Sequence, residues 1–128
     1  MNILIADDDR IQTLMLSTRL KEKGFKVAVA YDAIQAWISA IRGLPDAVIL
    51  DIQMPGGTGV AVLKQLKMST KTRHIPVIVL TGTIDPGDEP KLMELGVDRL
   101  LYKPVDLEQL YLALSQLLPK SPDPSSAP

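Results

Sequence analysis

Five short apolar runs recur along the 128-residue chain, and the segments between them carry helical spacing. The runs are Ile3-Leu4-Ile5, Val27-Ala28-Val29, Ala47-Val48-Ile49-Leu50, Val77-Ile78-Val79-Leu80 and Leu100-Leu101-Tyr102. Most are continuous rather than alternating, the pattern of strands buried on both faces. Ile34, Trp37, Ile38 and Ile41 follow i, i+3, i+4, i+7, as do Leu107, Leu110, Tyr111 and Leu114. Ile11, Leu14 and Met15 mark a helix after the first run, and Val60, Leu63 and Leu66 one after the third; a shorter helix is predicted from Glu89 to Leu95. Gly24, Gly43 and Gly96 each stand just past a periodic segment, where a left-handed residue closes a helix. Strict strand-helix alternation requires right-handed crossovers and a parallel sheet covered on both faces. The expected fold class is therefore α/β, a doubly wound five-stranded sandwich.

A chain of this length, 46% apolar and 23% charged, has material for one folded domain with one core. A net charge of −1 supplies no overall positive field for nucleic acid or an anionic membrane. No basic helix-turn-helix segment is left over once the five units are assigned, so direct contact with DNA is not expected. With no cysteine, a disulfide framework, a thiolate zinc site and a cysteine nucleophile are excluded, and a reducing compartment fits. The apolar runs fall far short of the ~18 residues that span a bilayer. Met1-Asn2 leads directly into Ile3 without a basic leader segment, so a cytoplasmic domain is expected. From Pro119 prolines and serines dominate. Residues 1–118 are thus expected to form the domain, and 119–128 a disordered tail or a linker to something further.

Ligands of open parallel α/β sheets bind beyond the carboxyl ends of the strands. Those ends carry Asp7-Asp8-Asp9 after the first strand, Asp51 after the third, Thr81-Gly82 after the fourth and Lys103-Pro104 after the fifth. Each has an ordinary explanation taken alone. Asp9 and Asp106 suit helix caps, Asp51 and Thr81-Gly82 suit turns, and Lys103 suits a solvated loop. Stability gives no reason for gathering them. Asp7, Asp8 and Asp51 oppose one another's ionisation unless a cation relieves them. All-oxygen ligands favour a hard divalent ion, and Mg²⁺ in particular, which uses one or two carboxylates and keeps several waters. A carboxylate beside such an ion can attack phosphorus. Asp51 is the central candidate, with Lys103 and the Thr81 hydroxyl to stabilise phosphoryl oxygens.

The combination Ile5-Ala6-Asp7-Asp8-Asp9, Leu50-Asp51-Ile52-Gln53-Met54-Pro55-Gly56-Gly57-Thr58-Gly59, Thr81-Gly82 and Lys103-Pro104 resembles the CheY-like receiver domain of response regulators, over about residues 1–118. The resemblance implies a flavodoxin-like (βα)5 sandwich of strand order 2-1-3-4-5. It implies that Asp51 accepts a phosphoryl group from the phosphohistidine of a sensor kinase or phosphotransfer protein. Mg²⁺ would be bound by Asp8 directly, by Asp7 mostly through water, by Asp51 and by the backbone carbonyl of Gln53. Thr81 and Lys103 would contact the phosphoryl group, with Gly82, Thr83 and Gln53 tuning its loss. A face of the fourth helix, fifth strand and fifth helix would then be read by an output domain or protein, or form a homodimer. Such a domain modifies itself and is not a turnover enzyme.

One departure stands out. Receivers usually carry an aromatic switch residue three positions before the lysine, and here that position is Leu100. Tyr102 is expected to point to another face of the sheet. The alternative to phosphate signalling is a receiver-like interaction module that does not cycle phosphate. A haloacid-dehalogenase-type phosphatase needs a second aspartate where this chain has Gln53, and no phosphate-binding loop motif occurs. His74 is expected in a loop at the edge opposite the acids. Trp37 is expected to pack on the second helix, and Leu112 and Leu117 to add apolar surface to the fifth.

Overall fold

The computed structural model describes residues 1–54, 59–82 and 87–119. The chain alternates β1 (Asn2–Ala6), α1 (Arg10–Glu22), β2 (Lys26–Ala30), α2 (Ala33–Gly43), β3 (Ala47–Asp51), α3 (Gly59–Met68), β4 (Val77–Thr81), α4 (Asp88–Glu94), β5 (Arg99–Tyr102) and α5 (Leu107–Leu117). The strands form one sheet of order β2-β1-β3-β4-β5, parallel throughout. This is the expected flavodoxin-like arrangement.

Two apolar cores flank the sheet. Ile3, Ile5, Ile49, Ile78 and Leu80 pack with Leu16 and Leu20 of α1 and Leu110 and Leu114 of α5. Leu4, Val48, Leu50, Val77 and Val79 pack on the other side with residues of α2, α3 and α4. Alternate strand residues supply alternate cores, which explains why the central runs are continuously apolar. β3 and β4 are buried at every position, whereas the edge strands β2 and β5 are only partly covered.

Aspartates start three helices. Asp9 accepts from the backbone N–H groups of Ile11 and Gln12, Asp32 from Gln35, and Asp106 from Glu108 and Gln109. Each satisfies first-turn donors that have no partner within the helix.

The buried faces of α1 and α2 differ from those expected. Ile11 and Leu14 are 83% and 69% exposed, and α1 instead buries Thr13, Leu16, Ser17 and Leu20. In α2, Ile34 and Ile38 face outward while Ala33, Ala36 and Ala40 lie against the sheet. Small residues let a helix backbone approach closely, and a search for the largest apolar side chains overlooks them. Trp37 packs partly buried beside those alanines. The α5 stripe is as expected, with Leu112 exposed and Leu117 packed against its core.

Helix termination also needs one correction. Gly24 and Gly96 adopt positive φ, but Gly43 does not; Leu44, at φ 43°, takes the left-handed position after α2. His74 is exposed in the segment before β4, as expected. Among the described residues, no helix is long and apolar enough to cross a membrane. The expected tail, apart from Pro119, lies outside the described residues, as do Pro55-Gly56-Gly57-Thr58 and Thr83.

Candidate functional site

Parallel register brings the carboxyl ends of β1, β3, β4 and β5 to one edge. Carboxylate oxygens of Asp7, Asp8 and Asp51 all lie within 4.8 Å of one another. Asp7 and Asp51 are buried, at 0% and 2% exposure, and Asp8 is exposed. Lys103 Nζ donates to Asp51 Oδ2 at 2.9 Å and lies 3.6 Å from Asp7 Oδ2. Asp51 Oδ1 accepts from the Gln53 backbone N–H at 2.9 Å. β5 is held against β4 up to the site, since the Lys103 N–H donates to the Thr81 carbonyl at 2.7 Å.

Burial pushes the Asp7 carboxyl up from 3.8 to about 6. Its hydrogen bond from the Asp9 backbone opposes that rise, and sharing a proton with negatively charged Asp51 adds to it. Burial alone would lower the Lys103 ammonium, but the hydrogen bond and charge of Asp51, with help from Asp7, hold it above its ordinary value. One lysine against three carboxylates leaves the cluster under-neutralised.

Thr81 is fully buried. Its Oγ1 is the one buried side-chain polar atom among the described residues without a hydrogen-bond partner. A buried hydroxyl without an acceptor costs about 1–3 kcal/mol, so it calls for an explanation. It lies one position beyond Leu80, the register partner of Asp51. An oxygen-rich ligand arriving at the acidic edge would supply the missing acceptor.

The donor set fits a hard divalent cation: it is all oxygen, carries several negative charges and has an exposed member, Asp8. Of the residues singled out from sequence, Asp7, Asp8, Asp51 and Lys103 come together directly, with Thr81 on the same edge. Asp9 and Asp106 serve as helix caps, as in their ordinary explanation. Gln53 flanks Asp51, and a Cβ on Gly82 would lie 3.8 Å from Gln53 Oε1. Gly59 is fixed by contact: a Cβ there would lie 2.5 Å from the Asp51 carbonyl oxygen. Sequence reasoning missed Gln12, whose Nε2 donates to Asp7 Oδ2 at 2.6 Å. No motif or periodicity marked it.

The expectation for Tyr102 is corrected. Leu100 packs into the core on the α2–α4 side and Leu101 into the other. Tyr102, two residues beyond Leu100, returns to the α4 side and donates its hydroxyl to Glu89 Oε2 of α4 at 2.9 Å. Strand side chains repeat every two residues, so Leu100 and Tyr102 share a face.

Residues 3–115 match the family described as the response regulator receiver domain. The chain belongs to that family. The receiver is 36% identical over 115 residues to the response regulator PleD of Caulobacter vibrioides, covering 90% of this chain and 25% of that protein. It is 36% identical over 116 residues to the transcriptional regulatory protein PrrA of Mycobacterium tuberculosis, covering 91% of this chain and 49% of that protein. The chain thus spans a quarter to about half of these relatives. Among solved structures, the chemotaxis response regulator CheY4 of Vibrio cholerae superimposes with a TM-score of 0.84 at 28% identity, over 91% of this chain and 98% of that one.

Proposed function

We propose that this receiver takes a phosphoryl group onto Asp51 in a magnesium-dependent reaction, and that the modified edge switches a surface read by a partner. The observation that carries the proposal is the buried, unpartnered Thr81 hydroxyl on the same edge as three carboxylates and one lysine.

An Asp51 carboxylate oxygen attacks phosphorus, and the O–P bond forms as the P–N bond of a donor phosphohistidine breaks. The imidazole departs and takes its proton from solvent. Lys103 shifts from pairing with the carboxylate to pairing with phosphoryl oxygen, and Thr81 donates to another oxygen. Asp8, Asp51 and the backbone carbonyl of Gln53, with Asp7 mostly through water, would hold a magnesium ion, which would supply positive charge against the crowded oxygens. The phosphoryl group ends on the chain itself, so the domain carries a signal and does not turn over a substrate.

The donor in this proposal is a sensor histidine kinase or phosphotransfer protein in the cytoplasm. The acceptor of the signal is an output domain or protein. The relatives' extra length and the name of PrrA, a transcriptional regulatory protein, support an output outside these residues. The receiving surface is the α4–β5–α5 face, where Leu112 is 58% exposed and Tyr102 links β5 to α4. Self-association through this face is part of the proposal, and loss of phosphodonor-induced dimers in Leu112→Glu is the expected signature.

The test is incubation with acetyl phosphate and Mg²⁺, followed by intact mass measurement. The proposal expects one hydroxylamine-sensitive phosphoryl adduct, absent without Mg²⁺ and absent in Asp51→Asn. No Asp51-dependent adduct would leave an interaction module that does not cycle phosphate, the alternative that Leu100 favours.

A further inference from the structure

Asp7 is tied down more tightly than either of its acidic neighbours. Its Oδ1 accepts from the Asp9 backbone N–H at 2.9 Å, and its Oδ2 accepts from Gln12 Nε2 at 2.6 Å while facing Lys103 at 3.6 Å. Gln12 is itself fixed, because its backbone N–H donates to Asp9 Oδ1 at 3.0 Å in the α1 cap. The three residues form a closed ring: Asp7 holds the Asp9 backbone and the Gln12 side chain, and Asp9 holds the Gln12 backbone. Asp8 is exposed and lies outside that ring.

We infer that Gln12 is a positioning residue that sets the ion preference of the site, by occupying Asp7 Oδ2 and so disfavouring direct coordination by Asp7. The inference rests on the acidic edge being a divalent-ion site, as proposed above. The physical reason is the contrast between two hard cations. Ca²⁺ takes about six to eight oxygen ligands and accepts carboxylates in either mono- or bidentate fashion, whereas Mg²⁺ is smaller and retains several waters. A carboxylate whose oxygens are already engaged can still accept hydrogen bonds from metal-bound water. It is a poor direct ligand for a larger ion that needs more protein oxygens. Gln12 thereby selects the more hydrated ion, and removing its amide frees Oδ2 for the other.

The experiment is calorimetric titration of the intact chain with Mg²⁺ and, separately, Ca²⁺, for wild type, Gln12→Met and Gln12→Ala. Gln12→Met keeps the length and packing of the side chain without the donor, and thermal unfolding confirms that each variant is folded. The expected result is a shift of the Mg²⁺-to-Ca²⁺ affinity ratio by about tenfold toward Ca²⁺ in both variants, the scale of effect typical for residues that orient a metal ligand. A purely structural role would weaken both ions together and leave the ratio unmoved, which overturns the inference while keeping the ion site. A wild-type protein that binds neither ion overturns the site itself.

Discussion

Asp7 is the residue at which the design of the site is most exposed to measurement. In the fold its carboxyl titrates at about 6 instead of 3.8, chiefly because it is buried. The folded state therefore keeps a proton that the unfolded chain has lost between those two values. Stability from this group falls as pH rises through that window, and the full penalty persists above it. Urea unfolding without divalent ions should show higher stability near pH 5 than near pH 7. Asp7→Asn should flatten that slope and raise stability at pH 7 by about 1–2 kcal/mol. The Gln12 amide can turn over to present its oxygen to the new side-chain amide, and Lys103, 3.6 Å from that position, keeps its 2.9 Å hydrogen bond to Asp51. A pH-independent wild type would contradict the account. At this scale sequence was informative wherever chemistry sits at a strand end: Asp7, Asp8, Asp51, Thr81 and Lys103 all arrive where chain order puts them. Gln12 was illegible because it reaches the site sideways from a helix turn, through a contact that no spacing rule encodes.

Elements were legible in kind and less so in orientation. All five strands and five helices stand where the apolar runs place them, since burial on both faces leaves a continuous signal in β3 and β4. The faces of α1 and α2 were misjudged because the packed stripe of α1 interleaves Leu16 and Leu20 with polar Thr13 and Ser17, and that of α2 is built from Ala33, Ala36 and Ala40, leaving Ile11, Leu14 and Ile34 outside. Tyr102 was misplaced by a register error: two steps along a strand return to the same face. The end of α2 offers a direct check on local energetics. Leu44 holds φ 43° in a half-exposed position, and a left-handed conformation costs a residue with a Cβ roughly 1–2 kcal/mol. Part of that is offset by the extra freedom glycine loses on folding. Leu44→Gly should therefore stabilise the domain by about 0.5–1 kcal/mol in urea unfolding. A destabilised variant would mean that Leu44 packing outweighs its backbone strain.

The whole molecule divides its labour between a sheet that resists change and an edge that invites it. Two cores clamp the sheet from both sides, while its carboxyl edge gathers three carboxylates, a buried hydroxyl without an acceptor and a single lysine. In the proposed function, phosphorylation would bias the domain through the contacts it creates at that edge; the route outward would be β5, which leads into Lys103 and joins α4 through Tyr102 and Glu89. The most direct test is a calorimetric Mg²⁺ titration of the wild type, Asp8→Ala and Asp51→Ala at a pH above 7. The account predicts saturable binding of one ion to the wild type, weakened at least about tenfold by either substitution. Equal binding by all three proteins, or none by the wild type, would contradict it.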